Sequence, residues 1–189
     1  LGFRSKNVNS FPFSIYLGIT AFLGALIGAR IAVEIDGLLF NKILAIIMMV
    51  VVVLMVFKPN YKSELLEPKT TGKTLIWSMI AFFFIGIYGG FINAGIGFII
   101  MLFLNYINKL NLVQVNATKV VLVLIYTTGA LATFALNGHI NIKYGIALAI
   151  GNAAGAFFAS RYSVSKGEGV IKIVMIVMVL VMSVKLWVF

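Results

Sequence analysis

The 189 residues are 62% hydrophobic with a mean hydropathy of +1.10, well beyond soluble usage, which marks an integral membrane protein. A formal net charge of +10 would point to nucleic acid in a soluble protein. Here the basic residues sit between apolar runs and read as topology signals and headgroup contacts, so the bilayer is the expected partner and nucleic acid is not.

In chain order, the first apolar segment is the charge-free run from Asn7 to Ala29, opening near Pro12, a tolerated first-turn position. Its second half carries Thr20, Gly24 and Gly28 at i, i+4, i+8, followed by Ala29-Arg30. Small side chains on one helical face let two helix backbones approach closely. The second segment, about Leu38 to Phe57, is aliphatic and Met, with Lys42 placed to snorkel at one end. It reads as lipid-facing. A polar loop, Lys58 to Lys73, carries two prolines.

No residue charged at neutral pH then occurs between Lys73 and Lys109. As one helix those 35 residues would run roughly 50 Å at about 1.5 Å each, against a hydrocarbon core of about 30 Å. Two segments are therefore predicted, about 75–90 and 96–107, separated at Gly89, Gly90, Gly95 and Gly97. Each glycine weakens a helix by about 1 kcal/mol relative to alanine. Broken backbone inside a bilayer persists only where it is buried in protein or lines a polar cavity. The half-helix after such a break begins with free N–H groups, an anion site in the making. Gly86 and Gly90 alone would also fit plain helix packing; Asn93 adds a polar cost that packing does not explain.

Residues 108–115 read as a short turn before a segment of about 116–136. Asn137-Gly138 signals a tight turn, and further segments follow at about 142–160 and 170–189. The expected fold is all-α, with about seven transmembrane segments.

The chain also repeats internally. The Thr20/Gly24/Gly28/Arg30 stripe recurs 131 positions later as Gly151, Gly155, Ala159 and Arg161, and Lys42 with its aliphatic run matches Lys172 and its run. Residues 1–58 are thus expected to be the second half of one repeat, 59–73 a loop, and 74–189 a complete second repeat. The first repeat's counterpart of about 75–138 is expected upstream, some 55 to 60 residues. If the stretches on both sides of the glycine break cross, eleven basic residues fall on one side and only Arg30, Lys42, Lys143 and Lys185 on the other. That split obeys the positive-inside rule and makes the two repeats inverted, the architecture of secondary transporters.

Little enzyme chemistry is available. There is no cysteine, one histidine (His139), and five acids that all fall in predicted loops. No catalytic residue, metal or cofactor is expected.

Taken in order, Gly86-x-x-Gly89-Gly90-x-x-x-Ala94-Gly95-x-Gly97-Phe98, Asn116-Ala117-Thr118-Lys119, Gly138-His139-Ile140-Asn141 and Gly151-x-x-x-Gly155 with Arg161 resemble the sulfite exporter TauE/SafE family of membrane transporters. The resemblance implies export of sulfite, sulfonates or related small anions across the plasma membrane by a multi-pass protein, and leaves a homodimer open. The family's glycine motif normally occurs twice; this chain holds the second copy, with Ile96 where the family often has another glycine.

From the residues, a small-anion site is expected from Gly90, Asn93, Gly95 and Gly97 at the break, and from Asn116, Thr118 and Lys119 at the start of the next segment. An intramembrane lysine is costly unless paired or hydrated; snorkelling from a helix start is its alternative reading. Asn152 reads as a packing hydrogen bond, His139 as interfacial, Arg30 and Arg161 as headgroup anchors. A channel-like or structural module, or an inactive fragment of a transporter, stays open as an alternative.

Overall fold

The computed structural model describes residues 11–56, 67–166 and 168–188. Seven helices and no strand occur among them: α1 (Phe11–Glu34), α2 (Gly37–Val56), α3 (Gly72–Phe91), α4 (Ile96–Tyr106), α5 (Leu112–Leu136), α6 (Ile142–Lys166) and α7 (Glu168–Val188). Three of them, in α1, α3 and α5, are long and apolar enough to cross a bilayer, and the others contain shorter apolar helices. The chain is an all-α membrane protein.

The helices group into two compact units, α1 with α3, α4 and α5, and α2 with α6 and α7. The first holds the core and the glycine break. Its centre is a backbone-on-backbone seam between α1 and α3. A Cβ on Gly24 or Gly28 would overlap the carbonyl oxygens of Phe83 and Ile87; one on Gly86 or Gly90 would overlap those of Ala21 and Ala25. Lipid tails are as apolar as leucine, so close packing of this kind, rather than hydrophobic burial, holds the helices together. The stripe on α1 does what its spacing predicts, and Gly86 and Gly90 are its partners.

Numbering rises together across the α1–α3 pairs, and again where Gly18 meets Ile125 and Phe22 meets Gly129, so α1, α3 and α5 run parallel. The helix α4 runs back between α3 and α5. Gly89 lies against Ile96, Phe82 stacks edge-on with Phe103 at 5.4 Å, and Ser78 accepts from Asn108 at 2.8 Å. Along that series α3 falls while α4 rises. The uncharged run is therefore a hairpin with the glycine break at its tip, and Lys73 and Lys109 lie at the same end. With eleven residues α4 is about 16 Å long, half a bilayer.

Asn108 closes the hairpin's base. Its Nδ2 donates to Lys69 O at 3.0 Å as well as to Ser78, and its main-chain carbonyl accepts from Lys69 N at 2.8 Å. Stripes of Phe13, Leu17, Ala21 and Ala25 on α1, Ile96, Ile100 and Leu104 on α4, and Val115, Leu122 and Tyr126 on α5 fill the space around Phe82. In the second unit α2 packs on α7, with Ala45 and Ser183 buried, and α6 packs on α7.

Several boundaries differ from expectation. The helix α1 runs on to Glu34, where Arg30 and Glu34 form an exposed i,i+4 pair at 3.1 Å. The helix α5 begins at Leu112 rather than 116, because Asn111 and Gln114 form a capping box: Asn111 Oδ1 accepts from Gln114 N at 2.9 Å and Gln114 Oε1 from Asn111 N at 3.1 Å. The acids do not all lie in loops: Glu34 ends α1 and Glu168 starts α7, while Glu64 lies outside the described residues. Asp36 and Glu67 are in loops as expected, and Asp36 accepts from Leu38 N and Leu39 N at the start of α2.

Two predictions follow the seam and the hairpin. Gly24→Leu and Gly86→Leu each force a side chain into backbone and should destabilise by about 1–3 kcal/mol or more, read as a lowered Tm in detergent. Gly18→Ala, which meets the flexible end of Ile125, should lose far less. In this cysteine-free chain, single cysteines at Thr71 and Asn137 should label with an impermeant thiol reagent from opposite membrane faces. Labelling from one face would mean that α5 does not cross.

Candidate functional site

The break spans residues 92–95, and its geometry follows from two left-handed residues. The last turn of α3 closes with Ile92 N donating to Tyr88 O at 3.0 Å, then Asn93 takes φ 61° and Gly95 φ 69°. Asparagine is one of the few side chains that tolerates this region, and glycine occupies it freely. Gly95 is the N-cap residue of α4, so no side chain caps the helix; Phe98 N donates to Gly95 O at 2.9 Å, while the Ile96 and Gly97 amides receive no side-chain cap. A Cβ on Gly97 would meet nothing within 4 Å, so that side of the turn is open.

Two tyrosines hold the break. The Tyr88 hydroxyl donates to Ala94 O. The Tyr126 hydroxyl, from α5, donates to Asn93 Oδ1 at 2.8 Å. Tyr126 is buried to 1% exposure, whereas Asn93 is exposed. Gly89 leaves the room that the Tyr126 ring and Ile96 occupy. Tyr126 lies fourteen residues after Leu112 and ten before Leu136, so the break sits about 21 Å from one end of α5 and about 15 Å from the other. It is in the interior of the span.

The residues expected at the start of the next segment fall one layer away. Because α5 begins at Leu112, Lys119 is two turns into the helix rather than at its start. Its Nζ donates to Met101 Sδ at 3.5 Å, a weak acceptor, and no carboxylate contacts it among the described residues. Met101 lies six residues after Gly95, so the lysine stands about 9 Å along α4 from the break. Thr118, 1% exposed, has a buried Oγ1 with no protein partner among the described residues. Asn116 is half-buried on the turn before it.

The structure thus brings Asn93, Gly95 and Gly97 together at the break and Thr118 and Lys119 together beside α4. Gly90 is in helix α3 with its face against Ala25 of α1. Asn152 is exposed on α6, and His139 is exposed just after the Asn137–Gly138 turn. Arg161 lies in α6, its side chain outside the described part. Tyr88, Met101 and Tyr126 were missed. Tyr88 adjoins Gly89-Gly90, and Tyr126 sits eight residues after Thr118 on the same helix face, which is the signal a sequence reading could have used.

Compared with known proteins, the chain matches the family described as Sulfite exporter TauE/SafE over residues 1–186. It belongs to that family. A probable membrane transporter protein of Haemophilus influenzae is 26% identical over 171 residues, covering 90% of this chain and 66% of that protein. A probable membrane transporter protein, ORF9, of Sinorhizobium is 23% identical, covering 90% and 64%, and the probable membrane transporter protein YfcA of Escherichia coli K12 is 26% identical, covering 87% and 61%. The TauE/SafE chain described here therefore spans a little under two thirds of the length of the relatives it matches. No solved structure matches it.

The two glycines of the break should respond in opposite senses. Gly95→Ala places a side chain at φ 69° and should lower stability by about 1–2 kcal/mol. Gly97→Ala, in open space inside the first turn of α4, should raise it by up to about 1 kcal/mol. Thermal unfolding of the purified protein in detergent reads both.

Proposed function

We propose that this protein is a multi-pass plasma-membrane transporter that carries small sulfur-containing anions, sulfite and sulfonates, through a site on the α4–α5 seam. The observation that carries the reading is the interruption deep inside the span, where an uncapped half-helix N-terminus faces open space. A helix N-terminus in a low-dielectric setting attracts negative charge. Lys119 adds a positive charge with a thioether as its hydrogen-bond partner. No acid lies in α3, α4 or α5, which disfavours a cation. The substrate class itself comes from the family's description, and the transporter class from the names of the relatives.

In this reading Asn93, Gly95 and Gly97 bind the anion, while Asn116, Thr118 and Lys119 form a second station on its path. At about 9 Å and an effective dielectric near 20, one lysine still stabilises a bound anion by on the order of 2 kcal/mol. Inverted repeats over 1–58 and 74–189, joined by 59–73, supply the pseudo-symmetry for alternating access. Gly90 contributes through the seam that fixes α3. The packing-only reading accounts for Gly24, Gly28, Gly86 and Gly90, but not for a left-handed asparagine in the middle of a membrane.

Sulfite flux in proteoliposomes tests this. Lys119→Met should raise the apparent KM about tenfold, equivalent to ~1.4 kcal/mol, while membrane insertion is unchanged. Lys119→Arg keeps the charge and should recover most of the affinity. Normal transport by Lys119→Met would make the lysine a packing residue beside Met101 and move the site elsewhere.

A further inference from the structure

Among the acceptors at the break are Asn93 Oδ1, Ala94 O and Gly95 O. All three are already bonded, to Tyr126, Tyr88 and the amide of Phe98 respectively. The donors are not used up in the same way. The Ile96 and Gly97 amides receive no side-chain cap, and Asn93 Nδ2 lies on an exposed residue. We propose that Tyr126 and Tyr88 are positioning residues of this site: by occupying Asn93 Oδ1 and Ala94 O they leave the Asn93 amide to meet a ligand as a donor, which favours anions over cations.

This inference rests on the anion reading above and adds the source of its sign. An asparagine side chain is two-faced, with an oxygen that accepts and an NH2 that donates, and rotation by half a turn exchanges them. What fixes Asn93 is the hydroxyl proton of Tyr126. That hydroxyl is buried, and Asn93 is its bonding partner among the described residues. If the amide turned over, its NH2 would donate to the tyrosine oxygen and the buried hydroxyl proton would lose its acceptor, the costlier way to leave a polar group. The amide therefore keeps its oxygen toward Tyr126 and its NH2 toward the open side. Tyr88 does the equivalent for the Ala94 carbonyl. Neither tyrosine need touch the anion.

Three single variants and one double variant test it by sulfite flux in proteoliposomes of the purified chain. Tyr126→Phe keeps the ring that Gly89 accommodates and removes only the hydroxyl. It should raise the apparent KM for sulfite about three- to tenfold with little change in maximal rate. Asn93→Ala should do at least as much, and Tyr126→Phe combined with Asn93→Ala should equal Asn93→Ala alone, because the hydroxyl acts through that amide. Asn93→Asp presents acceptors only and should abolish saturable sulfite flux. If Asn93→Ala and Lys119→Met weaken transport while Tyr126→Phe leaves KM unchanged, or adds to Asn93→Ala, the positioning role falls and the anion site stands. If Asn93→Ala and Lys119→Met both transport normally, the anion site falls and the positioning role with it. A second measurement does not depend on turnover. The side-chain 15NH2 resonances of Asn93, identified by their loss in Asn93→Ala, should shift on titration with sulfite, and shift less in Tyr126→Phe. Resonances that stay in place in the unmodified chain overturn the proposal.

Discussion

Two helix backbones in van der Waals contact set everything else in the first unit. Gly24 and Gly28 of α1 and Gly86 and Gly90 of α3 interlock, each admitting the other helix's carbonyl oxygens where a Cβ would stand. In lipid there is little hydrophobic gain from pairing apolar helices, so such a contact forms by packing and dispersion, and it is intolerant of added volume. Its position along α3 matters more than its strength. The seam ends at Gly90 and Phe91, one residue short of the break. The break thus hangs from the end of a fixed helix rather than from a mobile one.

A fixed α3 dictates how the rest of the hairpin packs. Because α1 and α5 run parallel to α3, the returning α4 fits antiparallel between α3 and α5, with Ile96, Ile100 and Leu104 buried at every turn. The buried stripe of α5, Val115, Thr118, Leu122 and Tyr126, faces this assembly at i, i+3, i+7 and i+11. Tyr126 reaches the break because Gly89, adjacent to the seam glycine, has no side chain in its way. Packing glycines and the glycines around the break are therefore neighbours in sequence with separate structural tasks. Gly86 and Gly90 hold α3 to α1, Gly89 makes room for a ring, and Gly95 turns the chain.

Much of this was legible before any coordinates. Uncharged length demanded two segments between Lys73 and Lys109, helix-breaking residues located the interruption, and Asn137-Gly138 located the turn before α6, where Gly138 takes φ 72°. The depth and partners of the site were not legible. Asn111 and Gln114 look like loop residues until their reciprocal hydrogen bonds are seen, and missing that capping box put the start of α5 four residues late. The error made Lys119 a helix-start residue within touch of the break, when it belongs a layer away beside Met101. Nor does any local rule connect Tyr126 to Asn93, thirty-three residues earlier. A tyrosine in an apolar helix reads as core until the fold shows what its hydroxyl bonds.

If the proposed anion site is right, that last point bears on how spans with so few charged groups would recognise charge. A carboxylate or an arginine sets the sign of a site by itself; a main-chain break does not, because every peptide brings a donor and an acceptor. Selectivity must then come from which of the two is left over. In a helix start the geometry disposes of the carbonyls and leaves the amides, but the residues of the turn leading into it, Asn93 and Ala94, obey no such rule. Their acceptors need outside donors that carry no charge and survive burial. Tyrosine hydroxyls meet both conditions: they donate one proton, stay neutral, and rest on an aromatic body that the hydrocarbon region accepts. On the anion reading, two tyrosine hydroxyls at a glycine break bias it toward donors without burying a charge.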